Sequence, residues 1–136
     1  MRRRESKRSL LLWSSESREV NAVVRYTVAD PYAVTLAYVD EPAQRTVCHW
    51  IDRGLLIDGL HEPTGAGLVR VAPHETGDYI ELTLATDPGA RPDTFFVAAL
   101  DLEDFLAASY RLVAMGRERE HLDLDGLIDR LLEVTS

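Results

Sequence analysis

The sequence predicts a single α+β domain in which about seven antiparallel strands are followed by two C-terminal helices. Three observations support this class. The chain has 136 residues, a length that fits one domain. Up to residue 99, apolar and polar residues alternate in several short segments, which is the pattern of half-buried strands. From residue 102 onward, apolar residues recur at steps of three and four, which is typical of helices.

Turn residues separate the predicted strands. In chain order, the strands are predicted at residues 10–13, 20–28, 34–39, 46–51, 69–71, 79–85 and 94–99. The third and fourth strands are expected to form a hairpin around Asp40-Glu41-Pro42. Asp30-Pro31 is expected to interrupt the strand pattern, because proline donates no ladder hydrogen bond. Residues 63–67 are predicted as a loop.

Three helices are predicted. The first is short, contains Leu55 and Leu56, and is ended by Gly59. The second starts with Asp101 as its N-cap and stops near Gly116. The third begins at Asp123 and carries an apolar stripe made of Leu124, Leu127, Ile128 and Leu131. Residues 117–120, between the last two helices, are predicted to be a solvated linker in which Glu118→Ala would change stability by about 0.5 kcal/mol or less.

Charge is distributed unevenly along the chain, whose net charge is −8. Residues 1–8 hold five basic residues and one acid, which leaves ten basic against 22 acidic residues and a net charge of −12 from residue 9 onward. A domain with this much negative charge repels the phosphate backbone of nucleic acids. We predict residues 1–9 as a basic, disordered tail and residues 10–136 as one folded domain. Cys48 fits a reducing compartment, and no apolar run reaches the ~18 residues of a membrane span, so a cytoplasmic protein is expected.

The sequence contains no recognisable catalytic, cofactor or metal motif. The four histidines (His49, His61, His74 and His121) are too far apart for a His-x-x-x-His pair. Cys48 and His49 are neighbours on a predicted strand and therefore point to opposite faces, which does not suit a nucleophile and its base. Gly65-Ala66-Gly67 leads into a strand, whereas a dinucleotide-binding loop leads into a helix.

Several motifs occur in an order that resembles a known family. Asp30-Pro31-Tyr32 is followed by Arg53-Gly54-Leu55-Leu56, then by a glycine- and proline-containing motif at residues 59–73, and finally by Phe105-Leu106 in the predicted helix. Together these segments resemble the SsgA-like family of actinomycete sporulation and cell division proteins. The resemblance gives these candidates for the family motif or for an interaction: Asp30, Pro31, Tyr32, Trp50, Arg53, Leu55, Leu56, Gly59, Leu60, Pro63, Gly65, Gly67, Pro73 and Phe105.

The resemblance also implies a fold and a function. The expected fold is a whirly-like, barrel-like body of two antiparallel sheets that assembles as a trimer. The expected function is non-enzymatic, needs no cofactor, and acts by contact with the division machinery at the septum, either the tubulin-like protein FtsZ or a related SsgA-like protein. The alternatives are a single-stranded nucleic-acid-binding protein and, less favoured, a small enzyme with an unrecognised site.

One departure from the family pattern concerns an aromatic position. The family commonly has tryptophan where this chain has His49, and Trp50 is shifted by one residue, which places it on the other face of the strand. An outward Trp50 would be a large apolar anchor for a partner. We slightly favour the alternative that Trp50 packs beneath a second sheet or in the trimer interface.

Overall fold

The structure, a computed structural model, describes residues 4–41 and 43–121. The strands are β1 (Glu5–Ser14), β2 (Glu19–Thr27), β3 (Asp30–Asp40), β4 (Arg45–Asp52), β5 (Thr64–Ala66), β6 (Val69–Pro73), β7 (Tyr79–Leu84) and β8 (Asp93–Ala98). The helices are α1 (Arg53–Asp58) and α2 (Ala99–Leu112), and a short 3-10 helix follows at Glu118–His121. The predicted last helix, from Asp123, lies outside the described residues.

The strands form one curled antiparallel sheet, which agrees with the expected barrel-like body but not with its division into two sheets. All neighbouring strands are antiparallel, in the order β4-β3-β2-β1-β8-β7-β6-β5. The Tyr38 ring of β3 lies edge-on to Phe95 of β8, with centroids 5.0 Å apart, although β2 and β1 lie between these strands in the sheet. The sheet is therefore a half-barrel, and its curl comes from strand twist, which residue patterns do not reveal.

The concave face of the half-barrel and one side of α2 enclose the core. Alternation along β7 buries Ile80, Leu82 and Leu84, as predicted for a half-buried strand. Phe105 and Leu106 of α2 belong to the same buried cluster. Because both layers contribute large side chains, the helix and the sheet stabilise each other.

The first strand corrects the predicted tail. Residues 5–9 are not disordered but form the first half of β1, which pairs with β2 from Glu5 opposite Thr27 to Trp13 opposite Glu19. Backbone hydrogen bonds sustain this pairing although the side chains are mostly polar. The Arg8 guanidinium also lies 3.4 Å from the Asp101 carboxylate of α2.

Two further segments differ from the prediction. Asp30 and Pro31 do not break the chain but begin β3, and the register with β2 shifts between Tyr26 and Thr27. Proline is tolerated here because it is near the start of the strand and beside an irregularity. The predicted loop at residues 63–67 contains β5, a short strand paired with β6.

The helix boundaries also differ in detail. The Asp52 side chain caps α1 by accepting a hydrogen bond from the Leu55 amide at 3.1 Å. Asp101 is not the N-cap of α2, because the cap residue is Ala98. Asp101 lies in the first turn, where its negative charge interacts favourably with the positive end of the helix dipole. Helix α2 ends at Leu112, four residues before the predicted stop at Gly116.

Candidate interaction site

Arg53 is the most deeply buried charged group among the motif residues, with 1% of its surface exposed. Its Nη1 atom donates hydrogen bonds to the Ser109 carbonyl oxygen at 3.2 Å and to the Val113 carbonyl oxygen at 2.8 Å. Its Nη2 atom donates to Glu118 Oε1 at 2.8 Å. Burying a guanidinium is costly unless it is paired and hydrogen-bonded, and this one is both.

Two tyrosines enclose the same guanidinium. The Arg53 guanidinium carbon lies 4.6 Å from the Tyr26 ring centroid and 4.8 Å from that of Tyr110, which are cation–π distances. Burial raises the pKa of both phenols, and the nearby Arg53 charge acts in the opposite direction. We call Tyr26, Arg53, Ser109, Tyr110 and Glu118 the Arg53 cluster.

The Arg53 cluster stabilises the C-terminal end of α2. The last carbonyls of a helix lack partners within the helix and carry the negative end of its dipole. Arg53 donates to the carbonyls of Ser109 and Val113, at and beyond this end, from the start of α1. The cluster therefore joins α1, α2 and the 3-10 helix, which are far apart in the sequence.

Glu118 corrects the prediction of a fully solvated linker. Its side chain is 15% exposed and pairs with Arg53, and the hydrogen bond from Arg53 is the main cause that lowers the pKa of this carboxyl. Its neighbours fit the prediction better, since Arg117 and Glu120 form an exposed pair at 3.0 Å. No local sequence pattern could have identified Glu118, because its partner lies 65 positions away.

The first motif of the family resemblance lies next to this cluster. The Tyr26 hydroxyl donates to the Pro31 carbonyl oxygen at 2.9 Å, and Pro31 is buried. Asp30 and Tyr32, on either side, are exposed. Pro31 thus fixes the ring that packs against Arg53, whereas its neighbours are available to solvent.

Most of the other motif residues contribute to packing or to backbone geometry. Leu56 and Phe105 are in the core, and Leu55 and Leu60 pack against it. A Cβ at Gly59 would collide with the Val71 side chain, so this glycine allows α1 to approach β6 closely. The remaining residues lie in or around the β5–β6 hairpin and include Pro63, Gly65, Gly67 and Pro73.

Glycine is required at one position of that hairpin. Gly65 has φ of 114°, which other residues rarely adopt, and a Cβ there would collide with the Val69 carbonyl oxygen. Gly65 thus allows the close approach of two antiparallel strands. The segment is not a phosphate-binding loop, because such a loop leads into a helix and this one leads into β6.

Trp50 points away from the core, so it does not pack beneath a second sheet. The other part of the favoured prediction, packing in the trimer interface, stays a prediction. Its side chain is 66% exposed, while its neighbours His49 and Ile51 are buried. Trp50 lies on β4 opposite Thr35 of β3, on the convex side of the sheet. Strand alternation placed Trp50 and His49 on opposite faces, but it did not say which of them was buried.

Other apolar side chains share the convex side with Trp50. Val23, Ala37 and Cys48 lie directly opposite one another on β2, β3 and β4. Val23 and Cys48 are exposed, and two further exposed apolar residues, Leu11 and Val39, lie on the same side. We call Leu11, Val23, Val39, Cys48 and Trp50 the outer apolar face; a solvated sheet face normally carries polar residues at such positions.

The structure brings no metal-binding cluster together among the residues that it describes. Within residues 4–41 and 43–121, no three His, Cys, Asp or Glu side chains are close enough to hold a metal ion. His49 Nε2 lies 3.2 Å from the Tyr38 hydroxyl, and burial lowers the pKa of this histidine. No helix among the described residues is both long enough and apolar enough to cross a membrane.

The curled antiparallel sheet with α2 packed against it is the fold of solved SsgA-like proteins. The solved SsgA-like sporulation-specific cell division protein from Thermobifida fusca superposes with a TM-score of 0.78 at 26% identity, over 96% of this chain and 98% of that one. The family described as Streptomyces sporulation and cell division protein, SsgA, matches residues 20–118. The chain belongs to this family.

Individual relatives agree with the family assignment. The chain is 44% identical over 116 residues to the sporulation-specific cell division protein SsgB of Salinispora tropica, covering 83% of this chain and 80% of the relative. It is 36% identical over 123 residues to SsgB of Streptomyces coelicolor, covering 90% and 89% of the two chains. The resemblance on which the sequence prediction rested is therefore confirmed.

Proposed function

We propose that this protein is a non-enzymatic regulator of sporulation-specific cell division that acts by protein contact at the division septum. The relatives named above, which cover most of this chain, are sporulation-specific cell division proteins, and this supports the process. The observation that carries the contact mechanism is the 66% exposure of Trp50 on the outer apolar face. Exposed tryptophans that become buried in an interface are frequent centres of binding energy.

The position of the outer apolar face favours contact with another protein. It spans β1 to β4, and β4 is an edge strand of the described sheet. Edge strands carry unpaired backbone groups, and proteins usually protect them with charged side chains. In the middle of β4, the outward residues Thr46, Cys48 and Trp50 are uncharged, and the charged residues Arg45 and Asp52 lie only at its two ends. An edge strand whose central outward residues are uncharged, next to an apolar face, suits a partner that covers both.

The proposed partners are FtsZ or a related SsgA-like protein, and the proposed assembly is a trimer. A rigid β-sheet face held by a large core presents such a surface without reorganisation, which limits the entropy cost of binding. In this proposal, no residue performs chemistry. The Arg53 cluster keeps the end of α2 in place, and the sheet presents the contact surface.

The alternative of nucleic-acid binding is weakened by the pairing of the basic residues. A single-stranded nucleic-acid site requires a cationic groove with stacking aromatics. The Arg25 guanidinium lies 2.7 Å from the Glu5 carboxylate, and Arg8 pairs with Asp101. The Arg8–Asp101 contact neutralises part of the positive charge of residues 1–8, and Glu5 neutralises Arg25 beside them on β2.

A fluorescent fusion followed through sporulation tests the proposal. The fusion should form bands or foci at sporulation septa, and deletion of the gene should disturb septum formation. A control fusion to an unrelated domain of similar size should remain diffuse. A fusion of this protein that stays diffuse at every stage, in cells that form normal septa, would contradict the proposed function.

A further inference from the structure

A second surface on the convex side differs from the outer apolar face in its chemistry. It is a cleft of about 290 Å³ whose aromatic lining consists of Trp13, His74, Tyr79 and Phe96. Trp13 of β1 and Phe96 of β8 are direct cross-strand partners. The His74 ring packs edge-on to Phe96 with centroids 5.8 Å apart. We call these four residues the aromatic cleft.

Acidic residues lie on both sides of the aromatic cleft. Across the sheet, Glu81 of β7 is opposite Phe96 of β8, Phe96 is opposite Trp13 of β1, and Trp13 is opposite Glu19 of β2. Residues opposite one another on adjacent strands are about 5 Å apart and project to the same side. Four adjacent strands therefore present a row of carboxylate, aromatic ring, aromatic ring and carboxylate. Two basic residues lie near this row: Arg18 in the turn before β2, and Arg70 of β6, which is opposite Thr83 of β7 and projects to the same side as Glu81.

This row suits a cationic ligand. Aromatic faces attract cations, tryptophan most strongly, and the two carboxylates add direct charge attraction. The Trp13 indole N–H and the Tyr79 hydroxyl are hydrogen-bond donors that can bond the carbonyl oxygens of a bound chain. A ligand with basic side chains and exposed carbonyls would satisfy both features.

The position of the cleft within the sheet limits how a peptide can bind. At the cleft, strands β1, β8 and β7 each have a paired neighbour on both sides, so none of them can pair with an added strand there. Recognition must rely on side chains. A polyproline II segment meets this condition, because it needs no backbone partner in a sheet and its rings pack against aromatic grooves.

We propose that the aromatic cleft binds a basic, proline-rich segment of a partner protein. The segment lies in polyproline II conformation across Trp13, Tyr79 and Phe96, with its Arg or Lys side chains near Glu19 and Glu81. This inference deepens the proposed contact function and rests on it, because it names the chemistry of one partner. It assigns that partner to a surface separate from Trp50.

Tryptophan fluorescence measures this binding directly. The chain has two tryptophans, so Trp50→Phe leaves Trp13 as the single reporter. A synthetic peptide of repeated Pro-Pro-Arg units should shift the Trp13 emission in a saturable way. Peptides of repeated Pro-Pro-Glu or Gly-Ser-Arg units separate the contribution of charge from that of proline. Saturable binding of the Pro-Pro-Arg peptide alone is the expected result.

Matched variants in the same background locate the site. Tyr79→Ala should weaken binding about tenfold, as for an interface aromatic. The double variant Glu19→Gln with Glu81→Gln should weaken it about fivefold and remove most of its salt dependence. Leu100→Ala, an exposed change on α2, should have no effect. Thermal melts check that each variant is folded, and the glutamine variants leave every ring in place.

Two outcomes would overturn the inference. An unchanged Trp13 emission at millimolar Pro-Pro-Arg peptide would show that the cleft does not bind this class of segment. Equal binding of the Gly-Ser-Arg peptide would exclude recognition of proline. The result is separable from the proposed function: a septal fusion without peptide binding rejects this inference alone, and a diffuse fusion with peptide binding rejects the proposed function alone.

Discussion

Glu118→Gln tests the most specific contact in the structure, the pairing of Glu118 with buried Arg53. The substitution retains the size of the side chain and one acceptor oxygen but removes the charge. Hydrogen bonds to charged groups contribute about 1.5–3 kcal/mol, and partial exposure of Glu118 reduces this. We therefore expect a loss of about 1–2 kcal/mol in the free energy of unfolding, or a melting temperature lower by about 3–8 °C.

The neighbouring Glu120→Gln is the matched control. Glu120 pairs with Arg117, but the two side chains are 56% and 63% exposed. Such surface pairs contribute little to stability in most cases. Urea unfolding of the wild type and both variants at pH 7 should therefore rank Glu118→Gln clearly below Glu120→Gln. Equal stability of the two variants would refute the account of the Arg53 cluster.

The pH dependence of the free energy of unfolding provides a second test of the Glu118–Arg53 contact. The folded pKa of Glu118 is lowered relative to an unfolded value of about 4.3, so the unfolded chain binds this proton more readily. The stabilisation is thus present above the unfolded pKa and is lost as the pH falls through the folded pKa. The stability difference between wild type and Glu118→Gln should be full at pH 7 and should vanish in strong acid.

Three further predictions concern the core, the assembly and nucleic acid. Phe105→Ala should lower the free energy of unfolding by about 3–5 kcal/mol, and Leu100→Ala, at a position 72% exposed, should be nearly neutral in the same melts. Light scattering should give the mass of three chains, whereas a monomer at tens of micromolar protein would exclude the trimer. Fluorescence anisotropy should detect only weak binding of single-stranded DNA that moderate salt removes, and salt-resistant binding would favour the nucleic-acid alternative.

The sequence predicted well what depends on local pattern. Alternation in β7 and the three- and four-residue steps around Phe105 identified a strand and a helix that the structure contains. The strand after residue 45 was also found, and its alternation correctly separated His49 from Trp50. These signals are local because burial repeats with the period of the secondary structure.

What the sequence did not reveal depends on contacts between distant segments. The first half of β1 is polar, and only its pairing with β2 makes residues 5–9 a strand. The role of Glu118 depends on Arg53, and the curl of the sheet brings Tyr38 to Phe95. Neither the Glu118–Arg53 contact nor the Tyr38–Phe95 contact produces a periodic pattern in the sequence. The same holds for the aromatic cleft, whose rings come from separate strands and the turn before β7.

The septal localisation of a Trp50→Ala fusion tests the central claim most directly. Because Trp50 is exposed, the substitution should leave the melting temperature and the oligomeric mass close to those of the wild type. A Leu100→Ala fusion is the control, because Leu100 is also a large exposed apolar residue but lies on α2. The account predicts that Trp50→Ala is diffuse while wild type and Leu100→Ala are septal. A stable Trp50→Ala protein that localises to septa like the wild type would contradict the claim that the outer apolar face makes the contact.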